Sequence, residues 1–192
     1  MRRTFGWLLL WGTAACGVVR HSETRPDYAS ADRTQTVRIG VYVHPLPDGR
    51  RDVGQLWATI AQRYTNHHRD FIAKEAVATA TVTPACHDDL EGLLVIRPAM
   101  RSVGDGFEVE ADARLSRCRD GETVWSAQGG GSFPSRDETV LEVTRRYGEE
   151  LGPSVEPYVA PSFHLLRALL DTLPEPQLPS EDAVLEKIEL AD

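Results

Sequence analysis

The sequence predicts an α+β fold, an α/β two-layer sandwich in which a mixed sheet of about five strands carries its helices on one face. Three observations lead there. A β-branched run at residues 36–43 is followed by an amphipathic helical pattern and a second β-branched run, the layout of a β-α-β unit. Three further strand patterns then follow, broken by Gly/Asp turns, which read as an antiparallel meander. The chain closes on helical patterns interrupted by prolines, so the order is β-α-β-β-β-β-α with a broken C-terminal helix.

Ahead of the fold, residues 1–15 place Arg2 and Arg3 before an apolar run from Phe5 to Trp11 and finish on the small residues Gly12, Thr13, Ala14 and Ala15. This is the three-part layout of a secretory signal peptide. The apolar run falls far short of the ~20 residues that cross a ~30 Å hydrocarbon core, so cleavage is expected rather than a permanent span. Ala14-Ala15-Cys16-Gly17 resembles the lipobox of bacterial lipoproteins, with Thr13 standing where leucine is usual. The resemblance implies that Cys16 receives a diacylglycerol on its sulfur and becomes an acylated N-terminus. With each buried CH₂ contributing ~0.8 kcal/mol, two or more acyl chains hold a protein stably on a bilayer. Gly17 is not the aspartate that retains such proteins at the inner membrane of enteric bacteria. The expected address is therefore the outer membrane, on its periplasmic face, with surface exposure a further option. Thr13-Ala14-Ala15 also fits an ordinary small-x-small cleavage site, which leaves simple secretion open.

Loss of residues 1–15 removes two arginines and no acids, leaving 19 Lys+Arg against 29 Asp+Glu, a net charge of −10. Such a chain has no electrostatic footprint for nucleic acid, and charge alone does not draw it to anionic lipid. With 41% hydrophobic residues it can build one compact core. Residues 16–35 are polar, rich in small side chains and without periodicity, and read as a flexible tether spanning about 25 Å. The expected organisation is thus a signal peptide at 1–15, a tether at 16–35, the domain at 36–173, and a proline-rich linker with a short acidic helix at 174–192.

Within the domain, the strand at 36–43 stops at Pro45 and Pro47. After the Asp48-Gly49 turn, Val53, Leu56, Trp57, Ile60, Ala61 and Tyr64 recur at helical spacing, with Asp52 as N-cap. Residues 77–83 read as the second strand, ended by Pro84, and 93–97 as the third. Strict alternation over 107–115 marks a half-buried strand, reached through the Gly104-Asp105-Gly106 turn. Asp120-Gly121 is a strong hairpin signal before the strand 122–128. Ser135 to Glu138 fits a capping box for a helix whose apolar face is Val140, Leu141, Val143, Thr144 and Tyr147. Gly152-Pro153 ends that helix, and Pro157 and Pro161 forbid one continuous rod. Pro161 is placed in the first turn of the next helix, which turns Phe163, Leu165, Leu166, Leu169 and Leu170 inward.

The candidates for chemistry are few. If residues of the 93–115 hairpin face one another with numbers summing to roughly 205, Cys86 and Cys118, which sum to 204, come near enough to bridge. An exported compartment favours that disulfide; two unbonded buried thiols are the alternative, and neither cysteine has a motif that activates a catalytic thiol. His67-His68 with Asp70, and His87-Asp88-Asp89, lack a third ligand at metal-binding spacing, so no metal is expected. Glu108, Glu110 and Asp112 share one face of a strand. Such carboxylates can do acid-base work or hold calcium, but the plainer reading is a solvent face, an acidic stripe for a basic partner. Gly129-Gly130-Gly131 lacks the lysine of a phosphate loop and reads as a flexible strand end. No Gly-x-Ser-x-Gly elbow is present, so no catalytic residue and no cofactor are expected.

The element order, the phrase Leu93-Leu-Val-Ile-Arg97 and the later Asp120-Gly121-Glu-Thr-Val-Trp125 together resemble periplasmic lipoprotein domains of the anticodon-binding-like α/β type. Similar domains occur in activators of peptidoglycan synthases, in curli-secretion lipoproteins, in the N-terminal domain of the Tol-Pal translocation protein, and in small outer-membrane lipoproteins of myxobacteria and spirochaetes. The resemblance spans about residues 36–173 and rests on structural motifs, so it carries no functional residue across. It implies a membrane-anchored, non-catalytic binding or assembly factor for an envelope complex, with an envelope protein as partner. The alternatives are a lipid- or glycan-binding transport accessory with a pocket between sheet and helices, and a secreted enzyme using Glu108, Glu110 and Asp112.

Overall fold

The computed structural model describes residues 18–28, 35–78, 84–87 and 89–191. The signal peptide and Cys16 lie outside the described residues, as do residues 79–83 and Asp88. The fold is α+β. One mixed sheet contains β1 (Val19–Thr24), β2 (Arg38–Val43), β3 (Ile72–Ala78), β4 (Gly92–Val103), β5 (Gly106–Arg117) and β6 (Thr123–Pro134), in the order β1-β6-β5-β4-β2-β3. The helices are α1 (Arg51–His68), α2 (Leu141–Leu151), α3 (Glu156–Leu170) and α4 (Glu181–Ala191).

The sheet has six strands because β1 lies inside the stretch expected to be a free tether. It pairs antiparallel with β6, Ser22 opposite Ala127 and Thr24 opposite Trp125. Four of its six residues are exposed, so β1 is held by backbone hydrogen bonds at a sheet edge and needs no apolar alternation. Tyr28, in the same stretch, is fully buried in the core.

Strand β2 is flanked by parallel neighbours on both sides, β3 and β4, and its Ile39, Val41 and Val43 are fully buried. Helix α1 crosses between β2 and β3, and all six of its expected apolar positions are buried against the sheet. Asp52 is not its N-cap. Arg50 holds that position, and Asp52 sits in the first turn, where it pairs with the Arg50 guanidinium at 2.7 Å and favours the positive helix end. Strand β3 begins five residues earlier than expected, because Ile72 and Ala73 meet buried neighbours while the β-branched run follows them.

Strands β4, β5 and β6 form the antiparallel meander. Their register differs from expectation: Arg97 faces Asp112, and Val103 faces Gly106, so opposed residue numbers sum to 209. The turn is a two-residue one, and Gly104 takes it with φ +60°, which a glycine in the first central position adopts without a Cβ penalty. Gly129, Gly130 and Gly131 are not a loose strand end. They lie within β6, and a Cβ on Gly129 would stand 2.6 Å from the Val18 carbonyl oxygen and within 3.2 Å of Leu165. The missing side chains let β1, β5 and α3 close on β6 at once.

The helical layer begins with a 3₁₀ turn at Glu138–Val140, capped by Asp137, whose carboxylate accepts from the Thr139 amide at 2.8 Å. This replaces the expected Ser135 capping box. In α2, Tyr147 is buried but Leu141, expected inside, is 54% exposed. Gly152-Pro153 breaks the chain through a second 3₁₀ turn. Pro157 sits at the start of α3, and Pro161 lies inside it rather than opening it. Leu165, Leu166, Leu169 and Leu170 are fully buried, each contributing about 1.5–3 kcal/mol of transfer free energy.

At the far edge of the sheet, α4 docks beside β3. Its Ala183 joins Val37 and Ile72 in a small cluster with Leu178 against it. Glu186 pairs with Arg38 at 2.7 Å and with Lys74. The Lys187 ammonium donates to the carbonyls of Asn66 at 2.8 Å, Phe71 at 3.1 Å, and Arg69. It sits at the negative end of α1.

Candidate functional site

The meander separates its residues cleanly by face. Val109, Ala111, Ala113 and Leu115 of β5 enter the core, and Glu108, Glu110 and Asp112 point to the opposite side of the sheet. The three acids do not form an open acidic stripe. Glu108 pairs with Arg101, and Glu110 with Arg20 of β1 at 2.8 Å. Asp112 pairs with Arg114 at 3.0 Å and with Arg97 at 3.6 Å, and accepts from the Gln128 amide at 2.8 Å. The register of β4, β5 and β6 brings these arginines alongside the acids, and β1 supplies the remaining one. Exposed pairs of this kind contribute about 0–1 kcal/mol each, so the face is a charge-matched surface that adds little to stability.

Cys86 and Cys118 are joined by a disulfide, with Cα atoms 5.5 Å apart. The link fastens the segment before β4 to the end of β5, where the Cys118 amide also donates to the Glu91 carbonyl at 2.8 Å. The observed register moves the hairpin pairing by four in the sum. The two cysteines still meet because they lie beyond the paired strands, where the chain is free to converge.

His67 and His68 lie on the last turn of α1, their rings 6.3 Å apart, and His68 packs on Tyr64 at 4.7 Å. Burial, then the neighbouring His68 and Arg146, lowers the His67 pKa, which favours its neutral form. His87 faces Glu75 at 3.4 Å, and Asp88 lies outside the described residues. Among the described residues, no three His, Cys, Asp or Glu side chains are grouped as metal ligands.

Two features take their form only in the fold. His164 of α3 lies 2.8 Å from the Asp137 carboxylate and stacks on Phe133 with 15° between the rings. The Thr139 hydroxyl and amide, then His164, hold the Asp137 carboxyl below the usual carboxylate range. Residues 27 apart, with no spacing motif, are joined only by the fold. The second feature is an apolar ridge on α4. Val184, Leu185 and Ile188 are 42%, 59% and 54% exposed, on a helix whose Ala183 and Glu186 engage the sheet edge and whose Lys187 engages the end of α1. The sequence reads residues 180–190 as a short acidic amphipathic helix, and the fold decides which of its apolar residues stay uncovered.

Between sheet and helices, the described residues form one contiguous buried cluster that includes Trp57, Trp125, Leu94 and Leu115. No described helix is long and apolar enough to cross a membrane.

No family model matches the chain, and no curated protein matches its sequence. Among solved structures it is similar to a PelC dodecamer from Paraburkholderia phytofirmans, at 16% identity and TM-score 0.38, covering 73% of this chain and 96% of that one. It is similar to lipoprotein GNA1162 from Neisseria meningitidis at 14% identity and TM-score 0.36, covering 62% and 99%. It is also similar to lipoprotein B from Nitrosomonas europaea at 18% identity and TM-score 0.26, covering 74% and 96%. At these TM-scores the likeness transfers no function to this chain.

Proposed function

We propose that the chain is a lipid-anchored envelope protein, held by Cys16 on the periplasmic face of the outer membrane, that acts as a non-catalytic binding or assembly factor. The observation that carries this reading is the partition of the three cysteines. Cys86 and Cys118 are bonded to each other, a state that belongs to an oxidising compartment, and Cys16 is left over behind a leader that ends on small residues. The paired charges of the sheet face favour a structural surface over an acid-base site, and the exposed ridge Val184, Leu185, Ile188 offers a partner contact flanked by Glu181, Asp182 and Glu189. A lipid- or glycan-binding accessory would need room between sheet and helices, and that space is taken by the core.

Mass spectrometry of the mature protein extracted from membranes tests the anchor. The expected N-terminus is Cys16 carrying diacylglycerol and an amide-linked acyl chain, and C16S is expected to leave the membrane fraction. A freely soluble mature form with an unmodified Cys16 thiol refutes the proposal. Photo-crosslinking from position 185 in intact envelopes tests the partner contact. A discrete protein adduct is expected, and its absence refutes the ridge as the contact.

A further inference from the structure

The start of β1 fixes how the domain stands on its membrane. Val19 lies opposite Gly129, which lies opposite Ala111, so β1 begins near the middle of β5. It runs away from the β4–β5 turn, and the Val18 carbonyl accepts from the Gly130 amide at 2.9 Å, so the N-terminal end of β1 is its turn-side end. From Cys16 to Val19 is three residues, which reach at most ~11 Å. From Ala111 to the turn at Gly106 is five residues of paired strand, a length of ~17 Å. With the strands upright, the turn therefore projects at least ~6 Å farther than the chain can carry Cys16. The thioether and glycerol of the anchor add a length similar to that shortfall, so an anchored domain standing with its strands upright holds the turn at headgroup level.

We infer that the β4–β5 turn is an interfacial membrane contact, with Val103 as its apolar tip and Arg101, exposed although paired with Glu108, as the cation nearest the phosphates. Val103 is 46% exposed and the Arg101 side chain 73%, and the partly buried Phe133 and exposed Pro134 of β6 extend to the same end of the sheet. Asp105, the acid of the turn, keeps the contact shallow, at headgroup depth. The occupant is a phospholipid surface rather than a protein groove, because the anchor places that surface within reach. This inference rests on lipidation at Cys16.

The test uses the full-length precursor, expressed and processed in cells, purified from membranes and reconstituted in vesicles of phosphatidylethanolamine and phosphatidylglycerol containing brominated acyl chains. V103W and T123W place a tryptophan at opposite ends of the meander, on exposed positions that tolerate it. The native Trp57 and Trp125 are buried and give a common background, measured on the unsubstituted protein. Quenching is expected to be several-fold greater for V103W than for T123W. Equal quenching, or none at V103W in protein whose mass includes the lipid, overturns the orientation while leaving the anchor intact. A mass without the lipid overturns both.

Discussion

Replacing Lys187 with methionine should release α4 while the rest of the domain stays folded. The substitution keeps the length of the stem and removes the ammonium that donates to the Asn66, Arg69 and Phe71 carbonyls at the end of α1. Hydrogen bonds from a charged donor contribute about 1.5–3 kcal/mol, and the substitution also leaves those carbonyls short of a partner. What remains on α4 is modest: the partly exposed Glu186 pairs, and the burial of Ala183 beside Val37 and Ile72. At 1.4 kcal/mol per factor of ten, the loss corresponds to a roughly ten- to hundred-fold fall in amide-exchange protection over residues 181–191. Hydrogen exchange with peptide-level mass spectrometry reads this directly, with peptides of β4 and β5 as internal reference. Unchanged protection over α4 refutes the latch. Equal loss over β4 and β5 refutes its being local.

The C86S/C118S double variant removes a bridge across 32 positions of sequence, for which the chain-entropy relation gives about 3.7 kcal/mol. Thermal unfolding followed by fluorescence of the buried Trp57 and Trp125 should show a Tm lower by about 7–15 °C; a shift below ~2 °C contradicts the estimate. Acid should also undo α4. Burial raises the Glu186 carboxyl, but hydrogen bonds from Lys74 and Arg38 outweigh it and hold the net value below its ordinary 4.5. The docked carboxylate thus binds a proton less readily than the free one, so its contribution is complete above pH 4.5 and is lost as pH falls through the lowered docked value. Amide exchange over residues 181–191, corrected for the intrinsic rate at each pH and followed from neutral to acid, should rise only below about that point. A rise beginning near neutrality contradicts this assignment.

The sequence made the interior of the fold legible and left its edges obscure. Helix α1 was readable because six apolar residues at helical spacing all face one sheet. Strand β1 was not, since an edge strand with four exposed residues gives no alternation to read. The hairpin register slipped because Gly104, Asp105 and Gly106 offer several turn placements. The slip was by two positions per strand, an even number, so the face assignment of Glu108, Glu110 and Asp112 survived it. What pattern could not supply was their partners. Arg20 and Arg97 reach those acids from strands 90 and 15 residues away, and His164 reaches Asp137 across 27, distances over which only the assembled sheet decides contact.

The pairing of Val19 with Gly129 also sets a clock. An exported chain that emerges N-terminus first must wait for a further 110 residues before the complement of its first strand is present. Closing a loop that long costs about 4 kcal/mol before any constant term, so this zipper is among the last to engage in the nascent domain. During the wait the waiting segment offers Arg20, His21, Ser22 and Glu23, a composition that discourages premature annealing to a neighbouring unfinished chain. The same polarity that hid this strand from pattern reading serves as its safeguard during biogenesis.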